Sequence, residues 1–258
     1  MFFPKIVFRE MTLEENINII KWEYFEKDEP LNIHKIIVSQ FKELDGLDEN
    51  LSKEEIYKVI EEVVTKYYNK NKEKIKKEVL RYNEIWSKYN DSYFKELSKY
   101  LNVSWPTSHK IIDAGVGLIP VFPRYLDSFG FSIGINIDEF GVKKISAHET
   151  LHFLWFEKWK ELYPNCERKE FDSPYTPWLY SEMVTDPILN SKTLKQILEI
   201  EEKSYNSFYD IKDGNDYMMD NLKKIYNSDL SIEEKIKNGF EYISKLMDSK
   251  KEEKITKK

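Results

Sequence analysis

Apolar residues recur at helical spacing through the first hundred positions of this chain. Ile17, Ile20 and Tyr24 follow a capping-box pair, Thr12 and Glu15. Ile33, Ile36, Ile37, Phe41 and Leu44 form a second row, and Ser52 with Glu55 announces a third through Ile56, Val59, Ile60, Val63 and Tyr67. The run "NKNKEKIKKE" at 69–78 reads as a solvated stretch, a fray or break between two helices. Helical spacing resumes at Val79, Tyr82, Ile85, Trp86 and Tyr89, then at Phe94, Leu97 and Leu101. Aromatic residues dominate these rows, which fits core-facing helix stripes.

The pattern changes at Trp105-Pro106. Residues 109–138 are rich in β-branched and aromatic positions broken by glycine and proline, which predicts two or three short strands. Val142, Ile145, Leu151, Leu154, Trp155 and Trp159 restore the helical period until Pro164. A loop follows, then a helix from about Trp178 and three further amphipathic segments: Leu194–Ile200, Tyr217–Ile225 and Ile232–Met247, the last opened by Ser231 and Glu234. The charged tail 249–258 is expected to be disordered. The expected architecture is α+β, predominantly helical, with an N-terminal helical region over 1–105 and a second domain over 106–258 whose small sheet precedes a long helix.

Composition narrows the function. The 258 residues carry 40 basic and 46 acidic side chains, a formal net charge of −6, which argues against a general nucleic-acid binder. A 41% hydrophobic and 33% charged composition is that of a folded domain. No stretch approaches the roughly 20 apolar residues of a membrane span. The N-terminus lacks the apolar run of a signal peptide, and the single cysteine, Cys166, suits a reducing compartment. A cytoplasmic protein with no membrane or nucleic-acid partner is therefore expected.

The chemistry concentrates in "ISAHETLHFL" at 145–154. On a helix, His148 and His152 lie one turn apart on one face and can present imidazoles to a single ion. Glu149 is rotated about 100° from His148 and is better placed to take a proton from a water than to bind the ion. The flanking Ser146, Ala147, Thr150, Leu151, Phe153 and Leu154 are uncharged in a chain that is one-third charged. Two histidines and a glutamate inside such a helix need partners. No histidine follows His152, so a third ligand further along the chain is a carboxylate.

This segment resembles the signature helix of zincin metallopeptidases. The metzincin branch would require glycine and histidine where Trp155 and Lys158 stand. "LYSEMVTDPIL" instead resembles the Glu-x-x-x-Asp element of gluzincins, which implies Glu182 as the third zinc ligand and Asp186 as the acceptor for the N–H of the first histidine. Pro187 is unusual there, and Asp186-Pro187 also fits an N-cap and first residue of a new helix. Glu167, Glu170, Asp172 and the upstream His109 are rival ligands.

The resemblance further implies a Zn²⁺ cofactor, a peptide or protein substrate and Glu149 as general base and acid. It also implies a substrate-binding edge strand near Ile133, Gly134, Ile135 and Asn136, and a tyrosine donor for the oxyanion among Tyr205, Tyr209 and Tyr217. Peptide deformylase also uses such a helix, but takes a cysteine ligand from before it, whereas Cys166 comes after. The alternative of another class is a non-catalytic metal-binding sensor or interaction module on the same fold. Glu149 weighs against it, since a structural site needs no base.

Overall fold

The computed structural model describes residues 2–26, 32–48 and 50–256, with side chains to 250. Ten helices and six strands occupy these residues: β1 (Lys5–Glu10), α1 (Leu13–Glu23), α2 (Ile33–Gln40), α3 (Lys53–Ser87), α4 (Asn90–Leu101), β2 (Ile111–Gly117), β3 (Arg124–Tyr125), β4 (Gly130–Gly134), α5 (Glu139–Leu162), α6 (Thr176–Leu189), α7 (Lys192–Leu198), α8 (Asn206–Tyr209), β5 (Lys212–Asp213), β6 (Asp216–Tyr217), α9 (Met218–Tyr226) and α10 (Ile232–Thr256). The fold is α+β and predominantly helical, with a small mixed sheet. No helix among the described residues is long and apolar enough to cross a membrane.

Contacts divide the chain into two compact units, each discontinuous in sequence: residues 1–91 with 106–149, and residues 92–105 with 150–258. In the first unit the sheet has the order β1-β2-β4-β3, with β1, β2 and β4 parallel and β3 antiparallel to β4. β1 lies where the helical period suggests only helices. Its own signal is the alternation of buried Ile6 and Phe8 with exposed Lys5 and Val7, and its partner strand lies about a hundred residues away.

As the outer strand, β1 turns alternate backbone groups away from the ladder. Side-chain amides take them up. Asn90 accepts from the Ile6 N–H at 3.2 Å and donates to the Pro4 carbonyl at 3.0 Å. Asn83 accepts from the Phe8 N–H at 3.1 Å and donates to the Phe8 carbonyl at 2.9 Å. A sheet edge is thereby closed to pairing by two asparagines.

α3 is one continuous helix of 35 residues, with no break at 69–78. The Lys and Glu of that run are good helix formers, and Ile75 in its middle is buried in the core with Ile60, Val64, Phe41 and Ile20. One such anchor, with the Lys76–Glu73 pair outside, carries the helix across the charged stretch. The buried Tyr82 of α3 donates its hydroxyl to the Gly134 carbonyl at 2.9 Å and accepts from the Ile137 N–H at 3.0 Å. That clasp fixes the exit of β4. Asp138 then caps α5, its carboxylate accepting from the Gly141 N–H at 2.7 Å.

In the second unit an aromatic cluster sets the register of the helices. Trp155 and Trp159 of α5 meet Tyr180 of α6 edge-on at 5.6 and 6.2 Å, and Phe240 of α10 packs on Trp159 at 4.8 Å. The Tyr180 hydroxyl reaches the Tyr226 hydroxyl at 2.9 Å and the Ile236 carbonyl at 3.2 Å. Gly239 leaves the room for it, since a Cβ there would stand 2.3 Å from that oxygen. Lys158, where a metzincin would carry histidine, is buried and bridges Glu233 at 2.6 Å, Glu161 at 3.1 Å and the Asn102 carbonyl at 3.1 Å. α10 continues to Thr256, into the tail expected to be disordered; Lys257 and Lys258 lie outside the described residues.

Candidate metal centre

The face of α5 that carries Trp155, Phe156 and Trp159 also carries His152, one turn earlier. His152 is fully buried, its ring stacked near Phe156 at 6.3 Å, and Phe156 stacks on Phe171 at 4.3 Å. The same packing brings α6 alongside. Residues 180–189 of α6 are all buried, Glu182 among them at 1% exposure.

The outcome is a three-residue group. One ring nitrogen each of His148 and His152 and one carboxylate oxygen of Glu182 all lie within 4.8 Å of one another. Among the described residues it is the only group of three histidine, cysteine or acidic side chains so disposed. His152 Nε2 and Glu182 Oε1 are 3.5 Å apart. Ligands held at about 2.0–2.2 Å on one tetrahedral ion sit roughly 3.5 Å apart, so this spacing suits a shared ion. The donor set of two imidazoles and one carboxylate is one that zinc accepts, although other divalent metals accept it too.

Glu149 follows His148 on α5 and is buried, as are Ser146, Ala147, Thr150 and Leu151. The uncharged flanks of the motif are thus interior. Glu149 is a carboxylate that has lost most of its solvent, one residue from a candidate ligand.

The rival ligands are not members of this group. Asp172 pairs with Arg168 at 2.7 Å on the surface, Glu167 is exposed beside Lys169, and Glu170 belongs to the 3₁₀ turn over Arg168–Phe171. His109 stacks on Phe129 at 4.0 Å.

Asp186 lies inside α6 rather than at the start of a new helix, and Pro187 is accommodated within that helix. The Asp186 carboxylate is buried among three donors. Asn190 Nδ2 donates to Oδ1 at 2.8 Å, Lys223 Nζ lies 2.7 Å from Oδ2, and the Tyr209 hydroxyl donates to Oδ2 as well. Burial and this carboxylate hold the Tyr209 hydroxyl well above its usual pKa. Ser204 completes the surroundings: its N–H donates to Tyr209 Oη at 3.2 Å and its hydroxyl to the Glu182 carbonyl at 2.7 Å. Sequence reasoning missed Ser204, Asn190 and Lys223. They stand in an irregular segment, a helix end and an amphipathic helix, and no spacing ties them to Glu182.

Of the other tyrosines, Tyr205 precedes α8 with its ring against Phe208 at 5.4 Å, and Tyr217 is exposed in the β5–β6 hairpin. In the segment expected to be a substrate edge strand, Ile133 and Gly134 close β4, while Ile135 and Asn136 fall in the turn after it, where Asn136 has φ 67°. β4 is not the outer strand: β2 flanks it on one side and β3 on the other, and Ser132 N–H bonds the Pro123 carbonyl at 2.9 Å. β4 ends at Gly134, two residues before the left-handed Asn136, and the two-residue β3 pairs only with Gly130 and Phe131. No family model matches this chain, and no curated protein or solved structure matches it either.

Proposed function

We infer that this chain is a zinc-dependent peptidase of zincin-like, gluzincin-type architecture. His148, His152 and Glu182 hold the ion, and Glu149 is the proton carrier. The observation that carries the reading is the convergence of three ligand atoms from α5 and α6 within 4.8 Å, next to a buried glutamate that no structural site requires.

A zinc ion bound there would supply Lewis acidity toward the scissile carbonyl and lower the pKa of a water to about 7. The chain's own residues do the rest. The two imidazoles stay neutral as ligands, while the Glu182 carboxylate offsets part of the ion's charge. The Glu149 carboxylate takes a proton from the attacking water and passes it to the nitrogen of the leaving amine. His152, Glu182 and Glu149 are buried while His148 is half-buried, and the low-dielectric side of the group strengthens its electrostatic contacts.

The test is Glu149→Gln, an isosteric change that removes the base and leaves the ligands. Hydrolysis of an unstructured peptide mixture should fall by about 10²–10⁴-fold, with zinc content and helical circular dichroism unchanged. Undiminished hydrolysis by this variant would refute the assignment. A zinc-loaded wild type that hydrolyses no peptide in such a mixture would favour the sensor or interaction module.

A further inference from the structure

We propose that Tyr209 is a positioning residue for the metal centre, closing a hydrogen-bonded ring that fixes the α6 turn from Glu182 to Asp186. The proposal rests on the reading of His148, His152 and Glu182 as metal ligands. The ring runs from the Glu182 carbonyl to Ser204 Oγ at 2.7 Å, and from the Ser204 N–H to Tyr209 Oη at 3.2 Å. Tyr209 then donates to Asp186 Oδ2, one helical turn beyond Glu182.

The directions of these bonds decide what Tyr209 can do. A phenol has one proton to donate, and here that proton goes to a buried carboxylate while the oxygen accepts from Ser204. A donor for an oxyanion needs its proton free for the substrate. Tyr209 is therefore assigned to the support of the site rather than to the reacting atoms.

The turn needs such a brace. Pro187 lacks the N–H that would bond the Met183 carbonyl, so α6 loses a rung immediately after the proposed ligand. A helix weakened there leaves the Glu182 backbone free to shift, and ligand geometry tolerates little shift. The ring spans the weakened stretch from outside the helix. Lys223 at 2.7 Å and Asn190 at 2.8 Å complete the hold on Asp186, whose side chain is 3% exposed.

The experiment measures zinc affinity, by competition with a chelating indicator, and the visible absorption of the Co²⁺-substituted chain. It compares wild type with Tyr209→Phe and Lys223→Met, each checked for native circular dichroism. The ring predicts zinc binding about ten- to a hundredfold weaker in Tyr209→Phe, an altered Co²⁺ spectrum, and a change in the same direction for Lys223→Met. A folded Tyr209→Phe with wild-type zinc affinity and Co²⁺ spectrum would overturn it. Should Tyr209→Phe not fold, Ser204→Ala takes its place under the same two outcomes. A wild type that binds no zinc would instead overturn the metal reading on which the ring depends.

Discussion

His152 and Glu182 come from different helices, yet Nε2 of one lies 3.5 Å from Oε1 of the other, with both side chains withdrawn from solvent. Such a pair is costly to bury unless something else shares it. His148, one turn before His152, supplies the third donor atom. The aromatic packing of Trp155 and Trp159 on Tyr180 holds the two helices at this spacing. The site therefore depends on a hydrophobic contact made one to two turns further along α5.

The asparagine closure of the β1 edge should be costly to remove. Asn90 is buried and also accepts from the Trp86 indole N–H at 3.0 Å. Asn90→Ala leaves that donor, the Ile6 N–H and the Pro4 carbonyl without their partner. A loss of about 2–4 kcal/mol is expected in urea unfolding, with concentration-dependent association measured by light scattering as the edge opens. Wild-type stability in this variant would show that the closure contributes little.

Ile75 should behave as a core residue in the middle of a lysine-rich run. Ile75→Ala is expected to lower stability by about 2–5 kcal/mol, whereas Lys74→Ala, on the exposed side, should change it by less than about 0.5 kcal/mol. Equal, small effects at both positions would mean that the charged run is not packed.

The Glu233–Lys158 pair should give stability a defined acid dependence. The hydrogen bond from Lys158, followed by that from Asn102, holds the Glu233 carboxyl down at about 2, against an ordinary 4.5. A carboxylate depressed in the folded state contributes stability that is full above about pH 4.5 and is lost as pH falls toward 2. Glu233→Gln should therefore be less stable than wild type at pH 7, by about 1–2 kcal/mol. The two proteins should converge as pH falls through that window. A gap that stays constant down to pH 2 would exclude this origin.

Much of this was legible in the residues. The capping boxes at Thr12–Glu15, Ser52–Glu55 and Ser231–Glu234 all form, because their information is local. The uncharged flanks of His148 and His152 announced a buried helix. β1 was harder, since a six-residue alternation gains meaning only from a partner strand far along the chain. The unbroken α3 turned on one isoleucine whose burial cannot be read from a charged neighbourhood. Pro187 argued for a new helix at Asp186, yet α6 runs through to Leu189, and the bonds that tie Glu182 and Asp186 to Ser204 and Tyr209 come from further along the chain. Tertiary contacts of that kind leave no periodicity to read.

The central claim, a metal held by His148, His152 and Glu182, is tested most directly by zinc content after exhaustive dialysis against metal-free buffer. Wild type and Asp172→Ala should each retain one zinc ion per chain, and Glu182→Ala should retain none while keeping its helical circular dichroism. Retention of zinc by Glu182→Ala, or its loss in Asp172→Ala, would contradict the account.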